Sequence, residues 1–282
     1  MASRRNFVTG TGAALAAAAL SPRAAQALFR RDKLDRIGVE LYTVRSEMVK
    51  DVGATLARVA QIGYHEVEFA GYFNWEPAKL RATLDANHLT APSAHVAIEI
   101  LERDFAAAAG AAKTIGHEAL IVPSLNTRAL TTIAAWKAIA VRFNVLGAKA
   151  NDAGLRFAFH NHASEATPIN GTRPYDVLLN ETNPKLVDFQ MDLYWMIKAG
   201  GDPLAYFESN PGRFTSVHVK DATPAPELAM RDVGAGAVDW RKIFARRARA
   251  GIKHFFVEHD APTPDPLTSI TASYNYLSTL TF

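Results

Sequence analysis

The sequence predicts a single (β/α)8 barrel, a closed ring of eight parallel strands each followed by helix, and three observations carry that expectation. From residue 37 onward, short apolar runs alternate with longer amphipathic or alanine-rich stretches, and eight such pairs are present. Strands alternating with helices imply parallel pairing through right-handed crossovers. Eight units in about 250 residues match the usual size of this barrel. A doubly wound open sheet also alternates, but it has fewer strands and places a glycine-rich phosphate turn after the first one. Here Ile37-Gly38-Val39-Glu40-Leu41-Tyr42 runs on into Thr43-Val44-Arg45, so no dinucleotide cradle is expected.

Taken in order, the expected strands are 37–42, 66–70, 92–96, 119–122, 156–160, 186–191, 214–219 and 254–258. Each is a short run of apolar residues, too short for a helix. Between them, 54–62, 78–87, 104–114, 131–152 and 238–250 have helical composition and length. Gly63, Gly116, Gly154 and Gly251 each stand between a helical stretch and the next strand. That is where a helix ends on a residue tolerant of positive φ.

Residues 1–27 read differently. Ser3-Arg4-Arg5-Asn6-Phe7-Val8 precedes an apolar stretch from Ala13 to Leu20 and the cleavage-like Ala25-Gln26-Ala27. This is the pattern of a twin-arginine signal peptide, leaving residues 28–282 as the barrel and implying a periplasmic protein. The apolar stretch is short for a bilayer span and is followed by Pro22, so no stable membrane anchor is expected. The whole chain has 31 basic and 28 acidic residues, an excess of three. Arg4, Arg5 and Arg23 account for all of it, so the barrel itself has no net field to attract nucleic acid. The sequence has no cysteine, which suits an oxidising compartment.

Strand ends carry the chemistry of this fold. The last four strands end in His160-Asn161-His162, in Asp188 to Trp195 with Asp192 among them, in His218-Val219-Lys220-Asp221 and in Glu258-His259-Asp260. One such residue is ordinarily a satisfied loop group, but four consecutive strands would bury several ionisable groups together. That is costly unless they pair or bind a cation. His160, Asp192, His218 and Glu258 are the expected ligands of a divalent metal. Their mixed nitrogen and oxygen set suits manganese, zinc, cobalt or iron(II). His162 is a fifth ligand or a substrate contact.

The runs Gly38 to Arg45, Gly63 to Gly71, Phe159-His160-Asn161-His162, Met191-Asp192-Leu193-Tyr194-Trp195, His218-Val219-Lys220-Asp221 and Phe256-Val257-Glu258 resemble the sugar phosphate isomerase/epimerase family of xylose-isomerase-like, endonuclease IV-like TIM barrels. The resemblance spans residues 28–282 and implies a metal held by glutamate, aspartate, histidine and glutamate from the last four strands. Asp192, His218 and Glu258 match the last three, whereas His160 stands where the first glutamate is usual. The missing carboxylate removes one of the two glutamates that shuttle protons in many epimerases.

The shared chemistry is proton removal next to a carbonyl. Glu258, His162 and His95 are the candidate bases, and Lys220 is expected to neutralise the developing oxyanion. Glu40, Tyr42, Glu68 and Trp195 are the expected substrate contacts, with Phe73, Trp75 and Tyr194 as further aromatic walls. Export and the lack of a phosphate-cradling turn point to a non-phosphorylated sugar or glycoside. The expected activity is an isomerase or epimerase; a lyase or hydratase acting on a 3-keto-glycoside, or a non-catalytic sugar-binding barrel, are the alternatives. Homo-oligomerisation is left open. A nuclease role is disfavoured by the neutral barrel.

Overall fold

The computed structural model describes residues 32–282, so the expected signal segment and its boundary at residue 27 lie outside them. Eight strands form the barrel: β1 (Gly38–Glu40), β2 (Glu66–Phe69), β3 (Thr90–His95), β4 (Ala119–Val122), β5 (Arg156–His160), β6 (Val187–Asp192), β7 (Phe214–Val219) and β8 (His254–Val257). They close in the order β1-β8-β7-β6-β5-β4-β3-β2, and every neighbouring pair is parallel. The expected fold class is observed.

The alternation of side chains along each strand explains what lines the barrel. Phe157 and Phe159 of β5 point outward, where their rings lie 5.4 and 5.1 Å from Phe143 of the helix Ile133–Asp152. Ala158 and His160 must then point inward. The same parity sends Val187, Phe189 and Met191 out and Asp188, Gln190 and Asp192 in. On β7 it sends Val217 and Val219 out and Ser216 and His218 in. The outward set is uniformly apolar and fully buried against helices.

Register then fixes which inward groups meet. His160 is opposite Gln190, and Asp192 is opposite His218. Between β2 and β3 the register shifts, so that Glu68 pairs with Ser93 although Glu66 pairs with Thr90. Pro92 lies in the shifted stretch, where it has no N–H to donate. Gly38 faces Phe256, whose ring would lie 2.5 Å from a Cβ at that position. The aromatic ring fills the space that a side chain on β1 would need.

The four glycines at helix ends have φ of 118°, 94°, 74° and 90° for Gly63, Gly116, Gly154 and Gly251, as expected of left-handed caps. One difference concerns the helices. The stretch 238–250 is two helices, Trp240–Ala245 and Arg247–Ala250. The turn tightens at Arg246, whose N–H donates to the Ile243 carbonyl (3.0 Å), three residues back instead of four. Beyond the five stretches given above, the helices Pro174–Glu181, Pro203–Ser209 and Pro266–Thr279 each begin with proline. Asp202 and Asp265 cap two of them, accepting from Leu204 and Leu267 N–H at 2.9 Å. Short helices also follow strand ends, among them Arg45–Lys50, Ile98–Arg103 and Leu193–Lys198. Among the described residues, no helix is long and apolar enough to cross a membrane.

Asp221, just after β7, organises the long connection that follows. Its carboxylate accepts from Ala222, Gly234 and Val238 N–H and from Trp240 Nε1–H, at 2.8 to 3.1 Å. A Cβ on Gly236 would fall 2.1 Å from it, so the loop can pass only as glycine. This holds the C-terminal rim of β7, and with it Lys220, in place.

Candidate metal centre and substrate cavity

Inside the barrel the inward groups join into one polar network. Glu68 is its hub: Gln190 Nε2–H donates to both its oxygens at 3.0 and 2.8 Å, and Ser93 Oγ–H donates to one of them. His218 Nε2 lies 2.6 Å from Glu68 Oε1, and His95 Nε2 lies 3.2 Å from the same atom. Burial pushes the Glu68 carboxyl up, but His95 and His218 more than reverse this and hold it well below the usual range.

Gln190 decides the tautomers on either side of it. Its NH2 is committed to Glu68 and Ser216, so its carbonyl oxygen must accept, from His160 Nδ1–H (3.1 Å) and His95 Nε2–H (2.9 Å). His160 is therefore left with Nε2 as its lone-pair nitrogen. Burial, followed by the charges of His218, His162, His95 and Lys220, keeps the His160 imidazole neutral, its pKa well below the ordinary value. A neutral imidazole with a fixed tautomer can ligate a metal.

His218 is instead held as a cation between two carboxylates, and a bound divalent ion would displace one of its ring protons. Its Nδ1 lies 2.6 Å from Glu258 Oε2 while Nε2 faces Glu68, and this clamp overcomes burial to raise its pKa to about 10. Lys220 sits beside it with Nζ 2.9 Å from Asp192 Oδ2, 2.7 Å from Glu258 Oε2 and 2.7 Å from Asp260 Oδ1. Burial opposes its charge, yet these three carboxylates hold it firmly protonated. Lys220 and His218 in turn depress Glu258 strongly against its burial.

Asp192 is oriented at both ends. Its backbone N–H donates to Asn161 Oδ1 (3.1 Å), and its Oδ1 accepts from the Trp195 N–H (2.8 Å) as cap of the helix Leu193–Lys198. Oδ2 is left with no hydrogen bond, although Lys220 Nζ is close. It lies 3.8 Å from His160 Nε2 and 4.0 Å from His218 Nδ1. The triplet His160-Asn161-His162 is thereby explained: the first imidazole enters the network, the asparagine pins Asp192, and the second imidazole lines the cavity above.

The donor set of this arrangement, two carboxylates and an imidazole brought together in the buried network, suits a divalent cation. Asp192, His218 and Glu258 offer ligand atoms all within 4.8 Å of one another. Of the four expected ligands, His160 stands apart from this trio. It closes a second group with His95 and His218, and it reaches the first only on the Asp192 side. Glu40, Glu68, His95 and His218 form a third group. His218 belongs to all three.

Above the network opens a cavity of about 730 Å3, lined by Tyr42, His95, His160, His162, Glu258 and Asp260 together with apolar residues of the β2, β3 and β4 loops. Of the expected substrate contacts, Tyr42 is on its wall, with the Arg45 guanidinium 4.0 Å over the ring. Glu40 and Glu68 require correction: strand parity points both inward, and they are buried below the cavity with no exposed surface. Burial, then the charges of Glu68 and Glu258, raises the Glu40 pKa well above its usual value, and its Oε2 has no partner. Trp195 backs His162 at 5.9 Å between ring centres and does not line the cavity. Lys220, expected at the substrate, is buried behind Glu258 and Asp260 because it neutralises them. Phe73 and Trp75 line a separate recess with Met48 to Val52, and Tyr194 donates from its hydroxyl to the Leu228 carbonyl (2.9 Å). Gln190, Ser93 and Asp260 were not singled out from sequence. Strand parity applied to β6 would have put Gln190 between Asp188 and Asp192 on the inner face.

Residues 56–278 match the model of the family described as xylose isomerase-like TIM barrel. Inosose dehydratase of Lacticaseibacillus casei is 27% identical over 179 residues, covering 56% of this chain and 59% of that protein. The match thus spans about three fifths of that relative's length. Among solved structures, a sugar phosphate isomerase/epimerase from Parabacteroides distasonis has a TM-score of 0.77 at 24% identity, covering 87% of this chain and 98% of its own. The IOLI protein with a binding zinc atom has a TM-score of 0.69 at 15% identity, covering 85% and 95%. At these identities the two structures show the shared fold.

Proposed function

Because the chain belongs to the xylose isomerase-like TIM barrel family, we propose that its barrel removes the proton next to the carbonyl of a small non-phosphorylated sugar or glycoside. The observation that carries this reading is the junction of Asp192, His218 and Glu258 directly beneath an open cavity walled by His160 and His162. Among the described residues, no lysine or arginine lines that cavity, which favours an uncharged substrate over a sugar phosphate. An exported protein would meet such substrates. Residues 1–27 carry that part of the proposal, and a mature N-terminus at residue 28 in secreted protein tests it.

Asp192, His218 and Glu258 would hold a divalent ion, with His160 Nε2 completing its Asp192 side. When bound, the ion supplies Lewis-acid polarisation of the carbonyl and stabilises the enediolate. The chain's own groups do the rest. Gln190 orients His160, Glu68 holds His218 from the far side, and Lys220 keeps Glu258 and Asp192 as a compensated pair. Of the candidate bases, Glu258 is engaged by Lys220 and His218, and His95 by Gln190 and Glu68. His162 stands on the wall with Trp195 behind it and Glu165 Oε2 accepting from its backbone N–H (2.9 Å), so the proton transfer is assigned to it.

Reprotonation at a new carbon or face gives isomerisation or epimerisation. A second reading, elimination, is favoured by two observations: the relatives named inosose dehydratase, and the imidazole of His160 where a second carboxylate is usual. Epimerisation calls for proton carriers on both faces of the substrate, whereas elimination needs a single base and a departing group. Deuterium incorporation from D2O into a panel of ketoses and methyl 3-keto-glucoside tests the reading. C–H exchange that disappears in His162→Gln, with the product distinguishing isomer from eliminated sugar, is the expected result. Exchange on none of them contradicts it.

A further inference from the structure

The cavity wall has two chemically different parts. The polar end is formed by His95, His160, His162, Glu258 and Asp260, from the tips of β3, β5 and β8. The rest of the wall is largely apolar and includes Tyr72, Val96, Ile100, Ala108 and Pro123, from the connections after β2, β3 and β4 and from the helices Ile98–Arg103 and Phe105–Ile115. A hexose ring occupies on the order of 200 Å3, well short of the cavity, whose size falls in the range that takes ligands of drug size. Nothing in the polar network accounts for the remaining space.

The apolar part is also unusual for a surface. Five large apolar side chains are left exposed among the described residues, and two of them, Tyr42 and Ile100, both 42% exposed, face this one cavity. Tyr42 is not loose. Arg45 covers its ring, donates to the Tyr42 carbonyl at 2.7 Å and donates to the Asp260 carbonyl at 2.8 Å, which ties the aromatic wall to the rim of the polar end. A fixed aromatic ring and an exposed isoleucine on the wall of the same cavity suit a flat, apolar ring.

We infer that this recess is an aglycone subsite, and that the substrate is a glycoside ketone whose anomeric substituent is an aromatic ring. The inference rests on the proposed reading of the polar end as the sugar-reacting end, and it selects elimination there. The C2–H bond breaks with its proton passing to His162, and its electron pair forms the C1–C2 double bond. The C1–O bond breaks with its pair on the departing oxygen, which takes up a proton to leave as a phenol. The remaining ring is a 1,2-unsaturated 3-ketone, and no oxidant or water is consumed. A phenol, with a pKa of about 10 like the tyrosine side chain, leaves far more readily than an aliphatic alcohol.

Binding of phenyl and methyl β-glucosides to the manganese-loaded protein by calorimetry tests the subsite, since neither ligand has a carbonyl to react. The phenyl ligand is expected to bind about tenfold tighter or more. That preference is expected to fall below about threefold in both Ile100→Ser and Ala108→Asp, changes to partly exposed positions. Equal binding of the two ligands, or a preference that survives both substitutions, overturns the subsite. Deuterium exchange on methyl 3-keto-glucoside reports separately on the polar end: exchange without phenyl preference overturns the subsite alone, and phenyl preference without exchange overturns the reaction while the subsite stands. Binding of neither ligand, together with no exchange, overturns both.

Discussion

The two faces of the same eight strands obey different rules. Outward residues such as Phe157, Phe159, Val187, Phe189, Val217 and Val219 are apolar and pack on helices, with Phe143 wedged against two of them. Barrels of this class usually fill their interior with branched aliphatic side chains as well. Here the inward face holds Glu40, Glu68, His160, Gln190, Asp192 and His218, all buried. The outer face is held by area removed from water, which is non-directional and tolerant of changes in detail. The inner face is held by matched charges and hydrogen bonds, so the loss of one member strands the others. Both faces carry stability, but the chemistry lives on the second alone.

Substitutions on the two faces should separate accordingly. The largest effect belongs to the inner face: His218→Asn is expected to lower C–H exchange by about a thousandfold or more, through loss of the metal-holding trio. Single-turnover exchange into a reactive ketose measures it. Next, Lys220→Met leaves Asp192 and Glu258 facing each other without their cation and is expected to cost about 3–5 kcal/mol in denaturant unfolding. Phe143→Ala on the outer face is expected to cost a similar amount, about 3–5 kcal/mol, while metal content stays at the wild-type level. Equal loss of metal in both variants would erase the distinction between the faces.

A smaller effect concerns a buried histidine unlike His218. His117, just before β4, has Nδ1 2.6 Å from the Ala91 carbonyl oxygen, while its Nε2 has no partner. Burial is the main cause that lowers its pKa from 6.5 to about 4, so it is neutral in the folded protein. The unfolded chain takes up the proton first as pH falls, so stability is lost between about pH 6.5 and 4, by up to about 3 kcal/mol. His117→Gln is expected to flatten the pH dependence of unfolding free energy across that window; an unchanged slope contradicts a neutral, buried imidazole. The smallest effect is at a helix end. Asp104 Oδ1 accepts from the Ala107 N–H (3.0 Å), and Asp104→Ala is expected to cost about 1 kcal/mol by thermal unfolding without altering exchange.

Much of this division was readable from sequence, because periodicity reports parity. The spans of β4, β5 and β7 coincide with the apolar runs at 119–122, 156–160 and 214–219, and the polar residues closing the last four strands do converge. Period alone could not show depth. Glu40 and Glu68 looked like rim residues because they stand near the ends of β1 and β2, while the sequence does not show how deep those ends lie. Parity then places them under the cavity. Nor could sequence show that Lys220 is spent on three carboxylates, since Asp260 reaches it from another strand end. Two of the three proline-led helices were legible from the proline after Asp202 and Asp265, a signal of the first helical position.

The central claim is that the inner face holds one divalent ion at Asp192, His218 and Glu258, with Glu68 steadying His218 from behind. Metal content and affinity per chain, measured by elemental analysis and competitive chelation on folded wild type, Asp192→Asn and Glu68→Gln, test it most directly. One ion per chain is expected in the wild type, lost in Asp192→Asn and bound roughly 10- to 100-fold more weakly in Glu68→Gln. Folded wild-type protein that binds no divalent ion, or unchanged affinity in Asp192→Asn, would contradict the account.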